Sequence, residues 1–276
     1  MNKNNLIKIL IVLILFIGSI FYFGFYNSNN NIKILKTTVS TDLLNDKLER
    51  FKVIVFSDIK YNGEDNKIEE AVKLINNQDP DIVIFAGDIF SEETISNVND
   101  DYQKSITEYL DNIEAKYGKF AVLGDIDELQ SEYCKDILLE ADFELLENTN
   151  IKISNSSSEY FNLVGLKPTI NNNYDVNEIY QNISTSKFTL TVCHTPDIYS
   201  EITDKTNILI AGHTLGGERI FPLLGPIGEK SGYDKYYDGI HSVGDSEIII
   251  SSGIGSNSSY RIFAPANIVV LNIENS

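Results

Sequence analysis

Ile208-Leu-Ile-Ala-Gly212-His213-Thr-Leu215-Gly-Gly-Glu218 is the stretch on which the fold turns. An apolar run from Ile208 to Ala211 stops at Gly-His, the way a buried strand carries a histidine to the rim of a sheet, where open α/β sheets bind ligands. Four other apolar runs end alike. Lys52-Val-Ile-Val-Phe-Ser-Asp58 and Asp81-Ile-Val-Ile-Phe-Ala-Gly-Asp88 each end in a carboxylate, and Phe120-Ala-Val-Leu-Gly-Asp125-Ile-Asp127 ends in two. Phe188-Thr-Leu-Thr-Val-Cys-His194 supplies a second imidazole. If the five strand ends converge, their carboxylates and imidazoles form a site for a divalent cation.

The order Asp58, Gly87-Asp88, Gly124-Asp125-x-Asp127, His194 and Gly212-His213-Thr-x-Gly-Gly resembles the calcineurin-like metallophosphoesterase superfamily. The pattern of that superfamily runs Asp-x-His, Gly-Asp, Gly-Asn-His-Asp/Glu, His and Gly-His-x-His. The chain is most similar to membrane-associated bacterial members whose last motif reads Gly-His-Thr-His-Gly-Gly-Gln. The resemblance spans residues 50 to 273, and Ile249-Ile-Ser-Ser-Gly253-Ile-Gly255 with Arg261 resembles the family's closing strand and loop. One Gly-Asp pair means nothing alone. Five motifs in one order mean a great deal.

Four positions depart from the pattern. Lys60 replaces the histidine of the first motif, Asp125-Ile126 replaces Asn-His, and Leu215 replaces the last histidine. The resemblance implies two metal sites joined by Asp88. One would need both missing histidines and keeps only Asp58 and Asp88. The other keeps a full set, Asp88, Asp125, His194 and His213, with a carboxylate where the family has an amide. The metal candidates are therefore Asp58, Asp88, Asp125, His194 and His213, and the expected cofactor is one divalent ion, Mn, Fe or Zn. Asp125 either strengthens a lone metal site by its charge or marks drift after metal loss.

Lys60 has two readings: it points to solvent, or it replaces the missing cation and contacts a phosphate oxygen. An ammonium about 5 Å from a divalent ion is repelled by roughly 6–7 kcal/mol at an effective dielectric near 20, which Asp58 and Asp88 would have to offset. Ile126 stands where the family keeps the histidine that protonates the leaving group, and it carries no proton. Asp127, without that histidine as partner, is expected to cap the next helix. His241, in Asp238-Gly-Ile-His241, matches no ligand motif and reads as a surface or loop residue.

Composition fixes the setting. In residues 1–26, Lys3 and Lys8 precede the apolar stretch Ile9–Phe25, which reaches the low end of a bilayer span. Tyr22-Phe-Gly-Phe-Tyr26 suits the interfacial belt of an uncleaved transmembrane anchor better than the small residues of a signal-peptide cleavage site. Lysines before the span orient the chain as a single-pass cell-membrane protein with its C-terminal domain extracytoplasmic. Residues 27–31 read as a polar linker and 32–276 as the catalytic-type domain. The net charge is −18, and without the two lysines of the anchor the rest carries −20. Such an acidic domain repels nucleic-acid backbones, which rules out that class of partner. Cys134 and Cys193 are read as buried thiols, with a disulfide between them as the alternative.

The spacing of Ile68, Ala71, Val72 and Ile75 predicts a helix over Asn66–Asn76, and similar patterns predict helices over Tyr102–Ala115 and Ser131–Ala141. Residues 32–39 read as an edge strand. After Phe143, strands at 145–146, 151–153 and 160–164 are separated by Asn/Ser turns, including the patches Ser156–Ser158 and Asn171–Asn173. The fold class is α/β, two packed mixed β-sheets flanked by helices. The expected function is a membrane-anchored hydrolase of phosphate esters with one metal, acting on a small molecule or a lipid headgroup. The alternative is a non-catalytic descendant that serves as a binding or scaffold module, since a missing general acid forfeits about 10²–10⁴ in rate.

Overall fold

Residues Val53 to Phe56 and Ile82 to Phe85 are all buried, so both faces of the strands that carry them are covered. Period-two alternation divides these side chains between two layers. Ile54, Phe56, Val83 and Phe85 pack with the helices. Val53, Val55, Ile82 and Ile84 pack with side chains of a second sheet. The computed structural model describes residues 3–44, 48, 50–64, 66–155, 159–169, 175–221, 223–227, 236–257 and 260–276. The Ser156–Ser158 and Asn171–Asn173 patches lie outside the described residues.

The first sheet contains β1 (Lys33–Thr41), β2 (Arg50–Phe56), β3 (Ile82–Phe85), β4 (Lys119–Ala121), β5 (Phe143–Leu145) and the last strand, β14 (Asn267–Asn275). Its order is β1-β14-β2-β3-β4-β5. Only the β14–β2 pair is antiparallel. The second sheet contains β6 (Thr149–Ile153), β7 (Phe161–Leu166), β8 (Thr189–Cys193), β9 (Ile208–Ala211), β12 (Gly239–Val243) and β13 (Ser246–Ile250), in the order β12-β13-β9-β8-β7-β6. Its four central strands are parallel and its two edge pairs antiparallel. A two-stranded hairpin, β10 (Ile220–Phe221) with β11 (Gly225–Pro226), stands apart. This is the expected architecture.

The inter-sheet core is rich in aromatics, with Phe51 edge-on to Phe161 and Phe161 edge-on to Phe188. Helix Asn66–Asn76 buries Ile68, Ala71, Val72 and Ile75 against the first sheet. The helix expected at 102–115 runs Asp100–Asp111 instead. Asn99 caps it by accepting from Tyr102 N at 3.0 Å, and Asn112 closes its last turn. The stretch expected to be a polar spacer is helical. Lys3–Phe21 continues through a π-turn at Tyr22–Tyr26 into Asn27–Asn30. Cys134 and Cys193 are buried on separate elements as free thiols. His241 lies on β12, with its ring 4.6 Å from that of Tyr236.

Truncating Phe161 would open a cavity between the sheets, since its ring is fully buried. Phe161→Ala should lower unfolding stability by about 3–5 kcal/mol, read from a denaturant melt.

Candidate metal centre

Parallel strands end together, and their C-terminal ends deliver the polar residues. Asp58 follows β2, Asp88 follows β3, Asp125 follows β4, His194 follows β8 and His213 follows β9. The first three belong to one sheet and the last two to the other, so the site spans the edge where the two sheets meet.

The backbone here is strained. Asp58 (φ 48°), Lys60 (φ 50°), Asp88 (φ 66°), His213 (φ 67°) and Leu215 (φ 52°) all adopt the left-handed conformation, which costs a non-glycine residue about 1–3 kcal/mol. Hydrogen bonds between neighbouring loops hold them there. Asp58 N donates to Gly87 O at 2.8 Å and Tyr61 N to Ile89 O at 2.8 Å. His213 N donates to Asp58 Oδ2 at 3.0 Å, and Ile126 N to Asp88 Oδ1 at 3.1 Å. Gly124 is required by contact alone, because a Cβ there would lie 2.0 Å from Asp88 Oδ1.

Asp127 is not the simple helix cap the sequence suggests. Its fully buried carboxylate accepts from Asp88 N (2.8 Å), Ile89 N (2.8 Å) and Gly124 N (2.9 Å), fastening the loops after β3 and β4 together. Burial and the Asp88 charge push its pKa up to about 7, against the opposing pull of those three amides. The family motif draws attention to this position, but nothing in the sequence shows that the side chain binds amides.

Four side chains converge. Asp88, Asp125, His194 and His213 each offer a ligand atom, all within 4.8 Å of one another. His194 is fully buried and its Nδ1 donates to Ala86 O at 2.7 Å, which leaves the Nε2 lone pair facing the site. Nε2 lies 3.2 Å from Asp88 Oδ2 and 3.1 Å from Asp125 Oδ1, but outside hydrogen-bonding geometry. His213 Nδ1 lies 2.9 Å from Asp125 Oδ1. An imidazole with a fixed tautomer and carboxylate oxygens aimed at one point fit a divalent ion better than they fit each other. The charge pattern agrees. Burial opposes protonation of His194, yet Asp88 and Asp125 raise its proton affinity, so the cluster favours a cation at Nε2. Burial also disfavours the Asp88 carboxylate, but His194 and then Lys60 hold its pKa down at about 2. For Asp125 the histidines overcome burial and keep it ionised.

Lys60 does not point to solvent. It is buried, its Nζ donates to Asp88 Oδ2 in a close ion pair, and Asp58 Oδ1 lies 3.9 Å away. Burial alone would lower its pKa, but Asp88 and Asp58 raise it, so the ammonium is permanent. Asp58 belongs to this cationic half and not to the four-residue group. Leu215 is buried on the turn after His213, and its carbonyl accepts from Arg261 Nη1 at 2.9 Å. The role of Arg261 is not evident from its sequence context.

The family model of the calcineurin-like phosphoesterases matches residues 51–223. An uncharacterized metallophosphoesterase, YkuE of Bacillus subtilis, is 24% identical, with 91% of this chain and 88% of that protein aligned. Another, Cj0846 of Campylobacter jejuni, is 27% identical over 98% of this chain and 71% of its own length. A dimetal phosphatase from Danio rerio superposes with a TM-score of 0.46 at 11% identity, covering 74% of this chain and 88% of that one.

Replacing Asp127 by asparagine puts an amide NH₂ where one carboxylate oxygen now accepts a backbone N–H. Asp127→Asn should cost at least about 1–3 kcal/mol in a denaturant melt. An unchanged midpoint would mean that the loops hold together without those bonds.

Proposed function

The chain belongs to the calcineurin-like phosphoesterase family, and on that premise we propose a membrane-anchored hydrolase of phosphate esters that works with one divalent ion and one built-in ammonium. The observation that carries this reading is the sharing of Asp88 Oδ2. It pairs with Lys60 on one side and faces His194 Nε2 on the other. On this reading Asp88 bridges two cations, with the lysine as one of the two.

A divalent ion held by Asp88, Asp125, His194 and His213 would supply Lewis-acid polarisation of a phosphoryl oxygen. Mn, Fe or Zn suits this mixed imidazole and carboxylate set. Lys60 holds a fixed positive charge beside that position and offsets part of the charge of Asp58 and Asp88, leaving the site less repulsive to an anionic phosphate. Ile126 moves no proton. The leaving group must therefore depart with little help, which restricts fast turnover to esters of acidic alcohols such as phenols. The negative domain disfavours nucleic acids as substrates.

Membrane attachment draws support from the helix Lys3–Asn30, the one described helix long and apolar enough to cross a bilayer. Its end is built into the domain. Gly24 O accepts from Phe263 N at 2.7 Å, and Asn29 exchanges two hydrogen bonds with the Arg261 backbone. Cleavage near residue 26 would discard part of that interface, which favours a retained anchor. Lys3 and Lys8 before the span favour an extracytoplasmic domain.

The intact chain should fractionate with membranes, and a soluble mature form that begins near Asn27 would overturn the anchor. The purified full chain should hold one equivalent of Mn, Fe or Zn by elemental analysis, and His194→Ala should lose it. Lys60→His with Leu215→His should raise the content to two. Adding Ile126→His should then raise aryl phosphodiester hydrolysis about 10²-fold or more. Two equivalents in the parent would overturn the single-metal reading. A metal-loaded triple variant without hydrolysis would move the assignment to a binding module.

A further inference from the structure

The hairpin β10–β11 carries a group of apolar side chains that the folded domain leaves uncovered. Phe221 and Ile227 are exposed, Leu224 is 76% exposed and Leu223 is fully exposed. An apolar tip of this kind on an otherwise acidic domain marks a contact surface. Its location identifies what it contacts. The backbone of residues 260–263 lies between the hairpin and the end of the N-terminal helix. On one side, Ile262 N donates to Glu218 O at 2.9 Å and Ile220 N to Ile262 O at 2.8 Å, which fixes the strand entering the hairpin. On the other, Phe263 N donates to Gly24 O, Arg261 N donates to Asn29 Oδ1 at 2.7 Å, and the Tyr260 ring lies 5.7 Å from that of Phe25. Gly24 is needed for this approach, since a Cβ there would lie 2.5 Å from the Phe263 ring.

We propose that the hairpin tip, Phe221, Leu223, Leu224 and Ile227, is a second membrane contact that dips into the lipid bilayer beside the anchoring helix. The inference rests on reading that helix as a membrane span. The hairpin is continuous with the helix through one hydrogen-bonded segment, so whatever surrounds the exposed aromatics at Tyr22–Tyr26 lies beside the hairpin as well. Attraction is apolar and not electrostatic, because a domain of net charge −20 is repelled by anionic headgroups. The chain reaches the hairpin from His213 through a single 3₁₀ turn at Leu215–Gly217, so the contact also fixes how close the candidate metal centre sits to the bilayer.

The chain contains no tryptophan, so one introduced indole reports its own surroundings. Full-length Phe16→Trp, Leu224→Trp and Leu139→Trp chains would be placed in phosphatidylcholine nanodiscs with plain or brominated acyl chains. Leu139 is an exposed residue of the helix Ser131–Glu140 packed against β5, the far edge of the first sheet from β1. Fluorescence of Phe16→Trp and Leu224→Trp should fall at least about twofold in brominated discs, with a blue-shifted maximum, while Leu139→Trp stays unchanged. Quenching in Phe16→Trp but not in Leu224→Trp would overturn the hairpin contact and leave the anchor standing. No quenching in either would overturn the anchor and the hairpin contact with it. Equal quenching in Leu139→Trp would also overturn it, because the contact would not be local.

Discussion

Charge balance around Asp88 is the constraint on which the site depends. Asp58, Asp88 and Asp127 are all fully buried, and Asp125 adds a fourth carboxylate at the rim. Desolvating one unpaired carboxylate costs several kcal/mol, and gathering several multiplies that cost. Asp127 is stabilised by three amide dipoles. Asp58 and Asp88 share the Lys60 ammonium. What remains is negative charge on Asp88 and Asp125 facing two imidazoles, a group that offers a cation its ligand atoms. Lys60 is therefore not an accident beside the centre but part of what lets the carboxylates stay buried and ionised. Its ammonium is a permanent positive charge beside both Asp58 and Asp88.

The same arrangement explains the strained backbone. Asp58, Asp88 and His213 come two or three residues after a strand end, where the chain turns to aim a side chain across the sheet edge. Loop-to-loop hydrogen bonds tie the turns together, and glycines occupy the points where loops touch. The positions of Asp88, Asp125, His194 and His213 are thus set mainly by backbone.

That division also explains what the sequence reveals. Both layers of the sheets were legible because apolar runs and period-two burial are local properties, as in Val53–Phe56. The five strand-end residues were legible because each follows its own run by one to four positions. Lys60 was ambiguous, since its neighbours Ile59 and Tyr61 say nothing of where Nζ goes; only the approach of Asp88 from another strand decides it. The role of Asp127 is hidden in the sequence because its partners, the amides of residues 88, 89 and 124, carry no side-chain signature. By composition the asparagines at 27–31 suggest a spacer. Asn29 instead pairs with a residue 232 positions away, a contact that no window along the chain can detect.

Arg261 joins these elements into one mechanical unit. Its guanidinium is fully buried and donates to the carbonyls of Leu215, Ser252, Gly255 and Ala264. Burial lowers its pKa to about 10, with Glu218 and Asp58 opposing, so it remains charged at neutral pH. The side chain thus organises the glycine-rich loops beside Asp58 and Lys60, while the backbone of the same residue holds Asn29 at the end of the N-terminal helix. A flexible tether would leave the domain free to tumble relative to the helix. Here the last helical turn and the rim of the centre meet on one residue, so a helix fixed in a bilayer would fix the orientation of the centre as well.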